Sequence, residues 1–322
     1  MQLKITTFNV ENLFNRYAFL NQPWTNERYE TFVAAVDVAS IASRKGDLVP
    51  EATTHIQRNN TALAIEEVNP DILAVQEIEN IYTLRNFNHD YLNDMFDQVI
   101  SLDGNDPRGI DVGLLVKRNQ KVQVQAFRTH IDDAEKGKTI IRESRPGYGY
   151  VVHNAVFSRD CLEVDIDVNG TLLTLLINHF KAQDDKKTSI ERRKEQARRV
   201  ADLAKAAKNK GRKPIVMGDL NMDSQGPAND KSLEPLTKSF LKDTLKSVPA
   251  NDHWTHYYAY EKSTSRLDYI LTDPGLTVTG VDVFRKGLTT KCKQYTGPRF
   301  PTIGPENTEA SDHCPTSVTI NV

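Results

Sequence analysis

Long apolar runs are missing from this chain of 322 residues. No stretch of about eighteen apolar residues occurs, which excludes a membrane-spanning helix. Cysteine is scarce: Cys161, Cys292 and Cys314 are an odd number without metal-like spacing, which argues against a disulfide framework and a structural zinc site. Net charge is nearly absent, with forty-one basic and forty-three acidic residues giving a formal −2. Internal repeats and low-complexity linkers are also lacking. With 39% hydrophobic and 26% charged residues, the composition is that of a globular protein, not of a disordered, coiled-coil or fibrous one. The opening MQLKITTFNV has no apolar signal region after its first basic residue and reads as a strand. The expected setting is reducing and cytoplasmic, and no obligate protein partner is evident.

What is present is a succession of short apolar segments. LKITTFNV, ILAVQEI, VGLLVKR, VVHNAVFS, LTLLINHF, PIVMGDL, RLDYILT and PTSVTINV have strand character. Two helices stand between them. One spans roughly 54–68 and is stopped by Asn69-Pro70. The other is predicted to start at a capping box, Thr188 to Glu191, with an apolar stripe of Ile190, Ala197, Val200, Leu203, Ala204 and Ala207. Many strands with few helices imply a layered α/β or α+β fold. Residues 15–53 read as an insertion within one domain covering 1–322. The charge is unevenly spread: Lys181 to Lys213 holds thirteen basic and five acidic residues, a net of +8, leaving −10 elsewhere. Such a segment is either a solvated helix face or an electrostatic footprint for a phosphate-rich ligand.

Polar residues recur at the ends of the apolar strands: Asn9, Glu11 and Asn12; Gln76 and Glu77; Asn178 and His179; Asp219 and Asn221; Asp268; and Ser311, Asp312 and His313. Metal-assisted attack on phosphate is chemistry that these types share. Glu77, Glu11 and Asp312 are hard oxygen ligands suited to Mg2+ or Mn2+. Asp219 is a candidate general base for a water that Asn221 would orient. His313, kept protonated by a carboxylate such as Asp268, would stabilise charge on phosphorus, with His179 contacting the same phosphate. Two rivals fail. Asp219-Leu-Asn-Met-Asp223 resembles a calcium loop but has Ser224 and Asp230 where glycine and glutamate are required. A Ser-His-Asp hydrolase lacks a G-x-S-x-G elbow.

Taken in order, TFNVEN, VQEIEN, GIDVGLL, INHF, GDLN, RLDYI and SDH resemble the endonuclease/exonuclease/phosphatase superfamily, the group of deoxyribonuclease I, along nearly the whole chain. The resemblance implies a four-layer α/β/β/α sandwich of two packed mixed sheets, with the site at one edge of both. It implies a metal-dependent phosphodiesterase, most simply a nuclease acting on DNA or RNA. A small-molecule phosphatase, a sphingomyelinase-like lipid phosphodiesterase and a catalytically silent phosphate-binding module are the alternatives. By the resemblance, Asn9, His179, Asp219, Asn221, Asp268 and His313 match catalytic positions, Glu77 matches the metal-binding glutamate, and Glu11 and Asp312 lie on the metal side. Arg108, Arg145, Arg192 and Asn178 are candidate phosphate contacts. Exonuclease III-type enzymes usually carry tryptophan where this chain has Ser265, and tend to carry tyrosine at the place of His179. Both departures argue against abasic-site repair.

Overall fold

The computed structural model describes residues 1–15, 17–19, 48–50, 53–119, 121–145, 149–184, 186–223 and 230–322. Most of the expected 15–53 insertion lies outside these residues. Strands are numbered β1–β18 along the chain. The first sheet has the order β17 (Thr277–Val283), β18 (Thr316–Asn321), β1 (Gln2–Leu13), β4 (Ile72–Ile78), β6 (Asp111–Val116), β5 (Gln98–Ser101). The second has the order β13 (Lys242–Asp243), β16 (Asp268–Thr272), β12 (Lys213–Asp219), β11 (Thr171–His179), β10 (Cys161–Val168), β7 (Val122–Arg128). Three small pairs complete the set: β2 (Tyr17–Phe19) with β3 (Leu48–Pro50), β8 (Ile141–Arg145) with β9 (Gly149–His153), and β14 (His256–Tyr258) with β15 (Ser263–Ser265).

Each large sheet contains one parallel pair, β1 with β4 and β11 with β12; its other pairings are antiparallel. A parallel pair needs a crossover, and a helix supplies each one: α1 (His55–Val68) after β1, and α3 (Lys187–Asn209) after β11. A further helix, α2 (Ile81–Asp90), follows β4. Helix α1 starts where the sequence places it, with Thr54 and Gln57 capping each other, and ends at Asn69 in the left-handed region before Pro70. Helix α3 departs from expectation. It begins at Lys187 and its N-cap, Lys186, makes no side-chain cap, so the Thr188–Glu191 capping box does not form. Among the described residues no helix is long and apolar enough to cross a membrane.

Three apolar clusters define the layers. Leu3, Ile5, Ile72, Ala74 and Leu114 of the first sheet pack against Leu162, Val164, Leu173, Leu175, Ile215 and Ile270 of the second. Phe8, Leu73 and Val75 turn the other way, onto Ala62 and Ile65 of α1 and Leu84 and Phe87 of α2. Leu176, Val216 and Leu271 of the second sheet turn outward onto Ala197, Val200 and Ala204 of α3. The order is therefore helix, sheet, sheet, helix, the four-layer sandwich that the resemblance implies. Each buried Leu, Ile or Val contributes about 1.5–3 kcal/mol relative to exposure. Strand β10 is not one of the segments with expected strand character, although Leu162, Val164, Ile166 and Val168 alternate with Glu163, Asp165 and Asp167. The segment 154–158, expected to end a strand, lies outside β9.

Candidate active site

The site is the last layer of the core between the sheets. Side chains alternate across a strand. On β1, Leu3 and Ile5 face the opposite sheet, and Asn9 continues that row. On β11 the inward row is Leu173, Leu175 and Ile177, followed by His179; on β12 it is Ile215 and Met217, followed by Asp219; on β16, Asp268 shares the face of Ile270. The register sets His179 opposite Asp219, and Asp219 opposite Asp268. Asn9, His179, Asp219 and Asp268 are all buried. The parallel pairs end their strands here, at the edge where open α/β sheets place their ligands.

Backbone strain re-aims the rest. Glu11, Glu77 and Asn221 have φ of 46°, 65° and 51°, in the left-handed region that non-glycine residues seldom adopt. Pairing of β4 with β6 shifts register between Gln76 and Ile78, so Ile78 joins Leu73 and Val75 on the helix side. The bulge frees Glu77 from strict alternation, and its carboxylate reaches Asn9. Position 218 requires glycine: its φ is 132°, and a Cβ there would lie 1.9 Å from the Asn178 carbonyl oxygen.

Asn9 is the centre of the hydrogen bonding. Its Nδ2 donates to Asp219 Oδ2 at 3.1 Å and to Glu77 Oε1 at 3.2 Å, and its Oδ1 accepts from the Glu11 backbone N–H. Asp219 also accepts from the Asn221 backbone N–H and from its side-chain Nδ2. Asn221 Nδ2 donates to the Phe180 carbonyl as well. The amide expected to orient a water thus holds Asp219. His179 Nε2 lies 3.4 Å from Asp219 and 3.7 Å from Glu77. His313 Nδ1 is 2.8 Å from Asp268 Oδ2, the pairing expected from the sequence, and its Nε2 is 3.8 Å from Asp219.

Burial pushes the Asp219 carboxyl up to about 7, with Asp268 and Glu77 adding to it and the His313 charge opposing. Burial alone would lower His313, but the charges of Asp268, Asp219 and Asp312 outweigh it and hold the imidazole well above its usual range. His179 moves the other way: burial, then the charges of Arg159, His313 and Arg108, keep it neutral. Two histidines on one carboxylate therefore differ in charge.

Glu11 and Asp312 come together on the other side of Asn9, where the Asp312 backbone N–H donates to Glu11 Oε2 at 2.9 Å. Burial, then the charges of Asp312, Glu309 and Glu77, push the Glu11 carboxyl well above the usual range. The expected trio Glu77, Glu11 and Asp312 is not the group with the tightest donor atoms. Among the described residues that group is His256, Asp312 and His313, whose donor atoms lie within 4.8 Å of one another.

The expected phosphate contacts divide. Arg108 is bidentate on Asp106 and faces the Glu77 charge, and its own charge acts on His179. Asn178 is a correction. It has the opposite parity to His179, is fully buried, and its Nδ2 donates to the Leu176 carbonyl, so it does not face the site. Arg192 Nη1 is paired with Glu135 Oε1 at 2.6 Å. The Arg145 side chain lies outside the described residues. Ser311 donates to the Asn9 carbonyl and accepts from the His313 N–H, a structural pairing.

Thr255, His256 and Arg159 also belong to the site, and no motif marks them. Thr255 Oγ1 donates to Asp268 Oδ2 and accepts from the backbone N–H groups of Leu267 and Asp268. His256 Nε2 lies 3.4 Å from Asp312. Arg159 is buried, donates to the Phe180 carbonyl at 2.7 Å, and pairs with Asp106 at 3.3 Å. Its one signal is a charged residue in the apolar context VFSRDCL.

Comparison with known proteins agrees with this fold. No curated protein matches the chain. Among solved structures, truncated TDP2 from Caenorhabditis elegans is similar at 14% identity and a TM-score of 0.57, over 100% of this chain and 98% of that one. The human nocturnin catalytic domain, solved with bound sulfate, is similar at 16% identity and 0.60, over 99% and 94%. A mannosyl-6-phosphatase from Bacteroides thetaiotaomicron is similar at 15% and 0.55, over 99% and 100%. These likenesses show the fold. The model of the Endonuclease/Exonuclease/phosphatase family matches residues 6–313, nearly the whole chain, and the protein belongs to that family of phosphoric ester hydrolases.

Proposed function

We propose that the protein is a divalent-metal-dependent phosphodiesterase, and that it acts as a nuclease on DNA or RNA. The observation that carries this reading is Asp219, held by Asn9 and Asn221 between a neutral His179 and a charged His313. Asp219, with a pKa of about 7, takes the proton from an attacking water. Asn9 and Asn221 position that carboxylate. His313, fixed by Asp268, donates to a phosphoryl oxygen as charge develops there. His179 contacts the same phosphate. Among the described residues no serine or cysteine is placed as a nucleophile, so attack is direct and in line.

The donor set fits a hard cation. Glu11 is a partly buried carboxylate facing the charges of Asp312, Glu309 and Glu77, an excess of negative charge that Mg2+ or Mn2+ relieves. Glu77 and Glu11 would hold it, with Asp312 beside them. When bound, it supplies charge neutralisation and polarisation of a phosphoryl oxygen. The reading treats 1–322 as one domain. The three cysteines are buried free thiols, which suits a reducing, cytoplasmic setting.

A small-molecule phosphatase is the second reading. It is favoured by the basic residues of α3, which are largely engaged by carboxylates: Arg192 by Glu135, Arg193 by Asp230, Arg199 by Asp133 and Lys208 by Asp273. The test is a screen of plasmid DNA, single-stranded DNA, RNA and small phosphomonoesters with Mg2+ or Mn2+, beside Glu77→Gln. Cleavage of nucleic acid, lost in chelator and in the variant, is expected. Turnover of phosphomonoesters alone would overturn the nuclease reading, and full activity in chelator would overturn the metal.

A further inference from the structure

An aromatic row leads from the catalytic edge to solvent. The ring of His313 lies 4.6 Å from His256, His256 lies 6.4 Å from Tyr258 at 21°, and Tyr258 lies 6.1 Å from Tyr260. Tyr260 is 87% and Tyr258 47% exposed. The same hairpin, β14 and its turn, walls a cavity of about 330 Å³ that Glu11, Asp312 and Lys291 also line. Tyr257, buried beneath, donates to the Lys291 carbonyl and fixes that wall.

We propose that Tyr258 and Tyr260 form a base-stacking subsite for unpaired nucleotides beside the cleaved phosphate, so that the substrate class is single-stranded nucleic acid; this rests on the nuclease reading above. The two ring planes are tilted 46° to each other, so each exposed ring offers its own face to a planar base. Centroids 6.1 Å apart on planes 46° apart cannot seat two bases in the parallel, roughly 3.4 Å step of a stacked strand, so bases on successive rings must be unstacked from each other. Duplex bases cannot do this, whereas single strands stack on exposed aromatics with little regard to sequence. Lys291 pairs with Glu306 at 2.9 Å with both side chains well exposed. Such a pair is weak and exchanges readily for a phosphate contact.

The test compares Tyr258→Ala, Tyr260→Ala and the two Phe variants on a single-stranded oligonucleotide, its duplex, and a strand with base-free spacers flanking the cleaved phosphate. Each Ala variant should raise KM for the single strand roughly five- to hundredfold with kcat held. The Phe variants should behave as wild type, and the base-free strand should be indifferent to all four changes. A wild-type KM in the Ala variants, an equal loss on the base-free strand, or a duplex preferred by wild type would each overturn the subsite while leaving the nuclease reading intact. No cleavage of any nucleic acid by wild type, with phosphomonoesters turned over, would overturn both.

Discussion

Two clusters of charge are built into this sandwich, and their carboxylates respond differently. At the catalytic edge, Glu11 and Asp219 are pushed up, by burial first and then by neighbouring carboxylates, while Asp312, against burial, is held down by His256 and His313. At the far edge of the second sheet, His130 bridges Asp133 and Glu163, Arg128 bridges Glu163 and Asp165, Arg199 reaches Asp133, and Arg212 reaches Asp165. Burial opposes the charge of Asp133, Glu163 and Asp165 too. There, hydrogen bonds from His130, Thr174 and the arginines, with the charges of His130 and the arginines, outweigh it, and all three are lowered. Like charges left facing one another suit the cation proposed for that edge. Matched charges pin α3 to the sheet and ask for nothing further. The contrast separates function from stability more sharply than a count of charged residues does.

The largest effect that would test the contrast is on turnover. Asp219→Asn should lower kcat by roughly a hundred- to ten-thousandfold, while thermal unfolding stays level or rises because a buried charge is removed. Steady-state kinetics and a melting curve check it together. A melting temperature several degrees lower with activity kept would erase the distinction between the clusters.

Next in size is a pH effect on stability at the matched cluster. Burial opposes the His130 charge, but Asp133 and Glu163 raise its pKa to about 9 from an ordinary 6.5. A group raised on folding stabilises fully below its unfolded value, and that stabilisation is lost as pH rises through the folded value. The contribution is at most about 3 kcal/mol. Urea unfolding of His130→Asn against wild type should show a deficit near pH 6 that shrinks by about pH 9.5. A deficit independent of pH would assign the loss to packing.

The smallest effect lies with Glu11. In chelator, Glu11→Gln should melt slightly higher than wild type, since it removes one of several mutually repelling carboxylates. With Mg2+ or Mn2+ added, wild type should gain stability by mass action and the variant should gain less. Equal gains in both proteins would remove Glu11 from the cation site.

Much of the site was legible because alternation and chemistry coincide in the sequence. LTLLINH and PIVMGD carry the core's period of two straight into His179 and Asp219, and Asp268 keeps the same face on its strand. The same parity argument excludes Asn178: one residue away from His179, it belongs to the helix side. Glu77 runs against simple alternation, and only the bulge with its positive φ explains why its carboxylate serves the site. Thr255 and His256 are silent in the sequence, and Arg159 shows only as a charge in an apolar stretch, because each acts through a partner far along the chain.

Strand and helix periodicity, the end of helix α1 at Asn69-Pro70, and the identity of the polar residues at strand ends follow from local sequence, since side-chain alternation and capping are short-range. The meaning of the charge asymmetry does not. Thirteen basic residues between Lys181 and Lys213 read as either a solvated helix face or a surface for an anion, yet Arg192, Arg193, Arg199, Lys208 and Arg212 find Glu135, Asp230, Asp133, Asp273 and Asp165. Those partners are brought in by the packing of α3 on the second sheet. Whether a charge faces solvent, a ligand or an opposite charge depends on distances that the linear order does not contain, so that decision belonged to the tertiary structure.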